Sequence, residues 1–112
     1  MKNKTIGIVL LVFFVLFGLI QAIPVERSNP PVTADIKASP EVHSIFKRAC
    51  YDCHSNETKW PWYSKVAPIS ILIAKDVTEG REYLNFSIWG DISEEGRANM
   101  KQTIWEKISK GE

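Results

Sequence analysis

The chain has two cysteines, three residues apart, and a histidine follows directly after the second, in the run Cys50-Tyr51-Asp52-Cys53-His54. This is the attachment pattern of c-type haem. Two thiols one turn apart can each bond one of the two vinyl groups on a porphyrin edge, and the next residue can then present its imidazole to the iron. The sequence therefore predicts Cys50 and Cys53 as thioether attachment sites and His54 as the proximal iron ligand of one haem c.

Three other roles for the cysteine pair remain open. A thioredoxin-like dithiol has this spacing, but it belongs to a βαβ unit, and no strand-rich flank is visible here. A zinc site needs four ligands, and His43 lies seven residues before Cys50, outside the usual zinc-finger spacing. A disulfide between Cys50 and Cys53 would close a very small loop and stabilise little. The pattern favours haem.

Attachment of this kind of haem takes place outside the cytoplasm, so the chain needs an export signal. Lys2 and Lys4 precede an unbroken apolar run over residues 6–20, and residues 5–23 form a 19-residue stretch that is long enough to span a bilayer. Residues 1–23 are therefore predicted to be a signal anchor or a signal peptide. The two lysines should stay in the cytoplasm, which places the rest of the chain on the periplasmic or extracytoplasmic side.

The alternatives of anchor and cleaved peptide differ at the end of this stretch. Ala22 could precede a cleavage site, but Ile20 two positions earlier is not small, and Pro24 follows close behind. The pattern favours an uncleaved membrane anchor over secretion to the periplasm.

Residues 24–39 are rich in proline and small polar residues, which predicts a partly extended linker that holds the following domain off the membrane. Residues 40–112 are predicted to form one small domain. From residue 24 onward, 12 Lys and Arg face 13 Asp and Glu, because two of the 14 cations lie before it, so the net charge is −1. Without a basic patch, nucleic-acid binding has no support.

Three segments of the domain carry apolar residues at helical spacing, over residues 39–50, 68–80 and 93–111. Gly80 is expected to interrupt or end the second helix. The apolar positions are Val42, Ile45, Phe46 and Ala49 in the first segment, Ile69, Leu72, Ile73 and Val77 in the second, and Met100, Ile104 and Ile108 in the third. An all-α fold follows from these segments.

Several residues around the motif are candidates for contact with a haem. The run Trp60-Pro61-Trp62-Tyr63 is expected to fill the core or wall a haem crevice. A proximal histidine usually donates its second ring N–H to a carbonyl or carboxylate. We expect a carbonyl near Pro68 to accept it from His54.

Two further side chains are weighed as iron ligands. Met100 has a thioether sulfur, a common sixth ligand to c-type haem, but a methionine on an apolar helical stripe also fits a core position. His43 is the other histidine of the chain, and its place near a helix start favours a surface position.

Four sequence blocks occur in the order typical of one family. They are Cys50 to Thr58, Trp60-Pro61-Trp62-Tyr63, Ala67-Pro68-Ile69 and Leu84-Asn85-Phe86-Ser87. From about residue 36 to its end, the chain resembles the small bacterial haem-binding domain family of exported, often membrane-anchored c-type haem proteins. The resemblance implies a compact, cytochrome-c-like helical fold, with Cys50 and Cys53 as attachment sites and His54 as axial ligand.

Family members continue past the last helix with a Gly-Glu-Met-Pro type segment whose methionine resembles a distal ligand. This sequence stops at Gly111-Glu112, so we expect a truncated chain or another sixth ligand. Nucleotide loops, nucleophile triads and paired carboxylates are not visible. The predicted function is therefore single-electron transfer by a membrane-tethered monohaem cytochrome with an unknown redox partner. A haem-based gas sensor or peroxidase-like protein with an open distal site is the alternative, and a disulfide-bonded interaction protein is the third possibility.

Overall fold

The computed structural model describes residues 1–111. The regular secondary structure of these residues is helical, and they contain no strand. Two 3₁₀ helices, Trp62–Lys65 and Phe86–Asp91, accompany five α-helices. The α-helices are α1 (Lys2–Ile20), α2 (Pro40–Ala49), α3 (Tyr51–His54), α4 (Ile69–Tyr83) and α5 (Glu94–Lys110). The prediction of an all-α fold is confirmed.

These elements form two compact units. The first contains residues 1–27 and 60–75, and the second contains residues 28–59 and the chain from residue 76 onward. The haem motif and α5 therefore belong to the second unit. The domain boundaries predicted at residues 23 and 39 stay predictions.

The helix α1 has 19 residues, a mean hydropathy of 2.3 and no buried residues. At a rise of about 1.5 Å per residue it is roughly 28 Å long, which matches the hydrocarbon core of a bilayer. Within the described chain it is the one helix long and apolar enough to cross a membrane. It has the properties of either a membrane anchor or a signal sequence.

Residues after α1 are tied to the rest of the first unit. The Gln21 side chain accepts a hydrogen bond from the Ala67 backbone N–H at 2.9 Å and donates to the Ala67 carbonyl at 3.2 Å. The Arg27 guanidinium donates to the Ser64 carbonyl at 3.2 Å. These three bonds connect residues 64–67 to the chain that follows α1.

The helices α2 and α5 begin and end as their sequences predict. Ser39 precedes α2, and its hydroxyl accepts a hydrogen bond from the Val42 backbone N–H at 3.4 Å. Ser93 precedes α5 and accepts from the Gly96 N–H at 3.1 Å. After α5, Gly111 takes a left-handed conformation with φ +76°, which only glycine adopts at little cost.

The prediction that Gly80 interrupts or ends the second helix is wrong, because α4 continues through it to Tyr83. A Cβ built on Gly80 would lie 2.5 Å from the carbonyl oxygen of Cys53. The glycine is therefore required where α4 passes the backbone of the haem motif, since real Cβ atoms do not approach a carbonyl oxygen so closely.

The buried face of α4 also differs from the predicted stripe. Ser70, Ala74 and Val77 are buried at i, i+4 and i+7, whereas Ile69 and Leu72 are 47% and 61% exposed. Small residues face inward because they allow close approach of neighbouring backbone, as Gly80 shows. The apolar spacing alone could not distinguish the inner face from the outer one.

The core of the second unit is built from aromatic rings. Tyr51, Phe86 and Trp89 are buried, and Phe86 stacks on Tyr51 with ring centroids 5.6 Å apart and on Phe46 at 4.9 Å. Met100 is partly buried against this cluster. Aromatic pairs of this kind add to the free energy of burial, so the cluster anchors α2, α3 and α5.

The run of residues 60–63 does not supply this core, contrary to expectation. Trp62 is 77% exposed and Tyr63 is 42% exposed, although their rings contact each other edge to face. Pro61 precedes a 3₁₀ turn that directs both side chains outward. The expectation of a core position is therefore wrong for Trp62 and Tyr63, and a role of the run in a haem crevice stays a prediction.

Part of the predicted linker packs along the second unit. The backbone N–H groups of Thr33 and Ala34 donate to the Ser87 carbonyl at 3.2 and 3.0 Å, and Ile36 donates to Phe86 at 3.1 Å. The Ala34 carbonyl in turn accepts from Gly90. The backbone of this stretch is therefore bonded to the second unit, and its role as a linker stays a prediction.

Candidate functional site

A cavity of about 570 Å³ lies in the second unit, between the end of the haem motif and α5. Most of its wall is apolar, and Lys107 is the charged side chain among the described residues that line it. The lining residues are Phe46, Ala49, Cys50, His54, Tyr83, Leu84, Phe86, Met100, Thr103, Ile104, Lys107 and Ile108. The volume falls within the range of about 300–1,000 Å³ typical of ligand and cofactor pockets.

His54 ends α3 and lines this cavity. Its Nδ1 lies 2.9 Å from the Gly80 carbonyl oxygen and 3.1 Å from that of Leu84. Because both neighbours are acceptors, Nδ1 must carry the proton and donate. In the neutral imidazole, the other nitrogen, Nε2, then keeps its lone pair, which is the form that binds a metal ion. The prediction that a carbonyl accepts this proton is correct, but the acceptors are Gly80 in the last turn of α4 and Leu84 directly after it, and not the Pro68 region.

The two cysteines are free thiols at different positions relative to the cavity. Cys50 is half-buried and lines it, whereas Cys53 is exposed and is not a lining residue. Burial raises the pKa of Cys50. Burial also raises the pKa of Cys53, and the negative charges of Asp52 and Asp76 add to that effect. Both thiols are therefore held in the neutral form over a wider pH range than a free cysteine.

This raised pKa predicts slow alkylation of the haem-free protein. At pH 8 the thiolate is the reactive species, and a raised folded-state pKa leaves less of it in the folded protein than in the unfolded chain. We expect the iodoacetamide reaction of Cys50 to be slower in the folded protein than in urea. The difference should shrink as the pH rises through the folded-state pKa. Equal rates at pH 8, measured by mass spectrometry of the Cys50 peptide, would contradict this prediction.

Met100 projects from α5 into the wall of the same cavity as His54. It is partly buried and packs against the aromatic cluster of Tyr51, Phe86 and Trp89. The position is therefore compatible with a core side chain and with a distal ligand. Its role as a ligand stays a prediction.

His43 has partners outside the cavity lining. Its Nε2 lies 3.0 Å from the Asp35 carboxylate and 3.1 Å from the Tyr51 hydroxyl, which itself donates to Asp35 at 2.7 Å. Burial and the Asp35 carboxylate raise the pKa of Tyr51, since both disfavour a phenolate. His43 thus has a structural position in a half-buried polar group.

The residues after the motif are fixed by a buried polar network that the sequence did not reveal. The Asn56 backbone N–H donates to the Ser87 hydroxyl at 2.9 Å, and the Asn85 amide donates to the Asn56 side-chain oxygen at 2.8 Å. Asn85 and Ser87 belong to the Leu84-Asn85-Phe86-Ser87 block, whose Leu84 carbonyl binds His54. This block therefore holds both the histidine and the turn that follows it.

Arg81 is a second supporting residue that sequence reasoning missed. Its guanidinium donates to the Ser55 carbonyl at 2.7 Å, the Thr58 hydroxyl at 2.9 Å, the Ser28 carbonyl at 3.0 Å and the Asn29 side-chain oxygen at 2.9 Å. Hydrogen bonds from this one arginine on α4 therefore connect residues 55–58, which follow His54, to residues 28–29. No sequence signal distinguished it from the exposed cations nearby.

The chain is therefore a helical protein in which one histidine, oriented to bind a metal ion, and one cysteine line an apolar cavity. Groups of three or more His, Cys, Asp or Glu side chains that could hold a metal ion are absent from the described residues. Residues 15–112 match the haem-binding domain family, so the chain belongs to that family and binds haem. Comparisons with curated proteins and with solved structures give no significant match.

Proposed function

We propose that this chain attaches one haem covalently through Cys50 and Cys53, ligates its iron with His54, and transfers single electrons as a membrane-tethered monohaem cytochrome. The observation that carries the proposal is the state of His54. Its Nδ1 is committed to two carbonyls, so Nε2 is the free iron-binding nitrogen, and it shares an apolar cavity with Cys50.

The cavity fits the flat, largely apolar haem in size and lining. Phe46, Phe86, Leu84 and Ile104 would contact its faces and edges. When bound, the haem supplies reversible one-electron chemistry at its iron. The surrounding residues would hold the imidazole in one tautomer and would cover part of the ring with apolar side chains.

Electron transfer is favoured over a peroxidase-like activity by the composition of the wall. Among the described residues that line the cavity, the one histidine is His54 and there is no arginine. The polar groups of a distal catalytic site are therefore not supplied by His43, which is bonded to Asp35 and Tyr51. A haem site without polar catalytic groups on its distal side suits the transfer of electrons without bond formation between the iron and a substrate.

The tether is supported by α1 and by the bonds that follow it. Cleavage after Ala22 would remove Gln21, whose side chain makes two hydrogen bonds with the Ala67 backbone. Retention of α1 keeps these bonds. We therefore favour an uncleaved anchor with the domain on the extracytoplasmic side.

The test is co-expression with a haem-attachment system, followed by optical spectra and a denaturing gel stained for haem. We expect sharp reduced α and β bands and haem that stays on the denatured chain. Cys50→Ser and Cys53→Ser should each leave one thioether, and the double variant should lose its haem on the gel. Ser44→Ala, an exposed change on α2, is the matched control. A wild-type chain without bound haem would refute the proposal.

The sixth ligand is tested by Met100→Leu, which keeps the side-chain volume but removes the sulfur. If Met100 binds the iron, the variant should lose the weak far-red band of sulfur–iron ligation and have a lower reduction potential, because thioether ligation raises it. Ile104→Leu, on the same face of α5, changes the packing of the cavity wall without adding or removing sulfur and is the control. If wild-type protein lacks the band and its spectrum shifts with carbon monoxide, the distal site is open and a gas-binding function replaces electron transfer.

A further inference from the structure

We infer that four exposed apolar side chains of the first unit form a surface that lies in the lipid–water interface beside the end of α1. We call this surface the aromatic patch, and it consists of Trp62, Tyr63, Ile69 and Leu72. The inference rests on the proposed membrane tether. It gives these residues a function in holding the first unit on the bilayer surface.

The position of the patch relative to α1 follows from hydrogen bonds. Gln21 is the first residue after α1, where the apolar run ends. Its side chain binds both the N–H and the carbonyl of Ala67, at 2.9 and 3.2 Å. Ala67 therefore lies within the reach of one side chain from the point where α1 leaves the hydrocarbon.

A second contact fixes the other side of the same segment. Arg27 donates to the Ser64 carbonyl at 3.2 Å, and Ser64 is fully buried. Tyr63 and Ser64 are neighbours in the 3₁₀ helix Trp62–Lys65, while Ile69 begins α4 two residues after Ala67. The patch residues thus flank, on both sides in sequence, the backbone that is bonded to the residues following α1.

The exposure of the patch is unusual for such side chains. Trp62 is 77% exposed, Leu72 is 61%, Ile69 is 47% and Tyr63 is 42%. Clustered apolar side chains on a surface mark an interaction site, whereas single ones do not. Ile69 and Leu72 lie at i and i+3 on α4 and share one face, and the rings of Trp62 and Tyr63 contact each other with centroids 5.6 Å apart.

The chemistry of the patch fits lipid headgroups. Tryptophan and tyrosine are enriched at membrane interfaces because each has an apolar body and a hydrogen-bonding tip. Lys65 is exposed in the same 3₁₀ helix and can extend its ammonium toward phosphates. Continuity with an apolar helix that spans the bilayer favours lipid over a protein partner as the occupant.

The experiment places a nitroxide spin label in the full chain in nanodiscs of phosphatidylcholine and phosphatidylglycerol. Labels are attached at Trp62→Cys and Leu72→Cys, and collision rates are measured with oxygen, which partitions into lipid, and with a water-soluble nickel chelate. Phe14→Cys on α1 is the hydrocarbon reference, and Glu94→Cys on α5 is the aqueous reference. Haem attachment occupies Cys50 and Cys53, and a Cys50→Ser/Cys53→Ser background repeats the measurement without haem.

We expect the oxygen-to-nickel ratio at positions 62 and 72 to lie several-fold above that of position 94 and below that of position 14. Ratios equal to the aqueous reference at both positions would overturn the inference and leave the patch as a protein-binding surface. An aqueous ratio at position 14 would refute the tether itself. Because the background without the native cysteines gives the same readout, failure of haem attachment and failure of membrane contact are distinguished.

Discussion

A chain with His54→Ala is expected to lose the proximal iron ligand and to give a broad, high-spin spectrum in place of sharp reduced bands. The substitution removes Nε2 and leaves a space bordered by the Gly80 and Leu84 carbonyls. Free imidazole fits that space and can donate to the same carbonyls. Added imidazole should therefore restore the low-spin spectrum, and optical titration measures its dissociation constant.

His43→Ala is the matched control for this prediction. It removes the other histidine of the chain, which contacts Asp35 and Tyr51 and does not line the cavity. The spectrum should not change, while the free energy of unfolding should fall by roughly 1 kcal/mol, since the His43 hydrogen bonds are partly solvated. A high-spin spectrum from His43→Ala, or a wild-type spectrum from His54→Ala, would refute the ligand assignment.

Gly80→Ala is expected to destabilise the protein, although alanine favours helices by about 1 kcal/mol over glycine. The new Cβ would lie 2.5 Å from the Cys53 carbonyl oxygen, so α4 and the motif must separate. Forced repacking of this kind costs about 1–3 kcal/mol or more. Because the Gly80 carbonyl also accepts from His54, the shift should alter the iron spectrum as well as lower the thermal midpoint.

Gly18→Ala makes the same chemical change in α1, where a Cβ meets no atom within 4 Å. Thermal unfolding followed at the haem band should give a wild-type midpoint for this control and a lower midpoint for Gly80→Ala. A Gly80→Ala protein as stable as Gly18→Ala, with an unchanged spectrum, would show that the close contact between α4 and Cys53 does not constrain the site.

The helix positions were predictable from sequence because their signals are local. Ser39 and Ser93 accept hydrogen bonds from N–H groups three residues on, and Gly111 takes the conformation that ends α5. The placement of Met100 and Ile104 on one face followed from helical spacing and is confirmed by the cavity wall.

Features set by tertiary contacts could not be read from the sequence. The carbonyl partners of His54 lie 26 and 30 residues away, and only the fold brings the end of α4 beside the motif. For Gly80, a local rule predicted a helix stop, whereas a long-range contact requires the glycine. The aromatic residues at 60–63 matched a core composition, but composition does not determine burial, and Trp62 is 77% exposed.

If His54 ligates the haem iron as proposed, the end of α4 has an electronic consequence for that iron. A helix concentrates partial negative charge on its last carbonyls, and two residues at this end direct carbonyl oxygens at the His54 N–H. Shared donation of one proton to two acceptors makes the imidazole a more strongly electron-releasing base. Such a ligand would stabilise ferric over ferrous iron, so the backbone at the end of α4 would lower the reduction potential, whereas a thioether ligand would raise it.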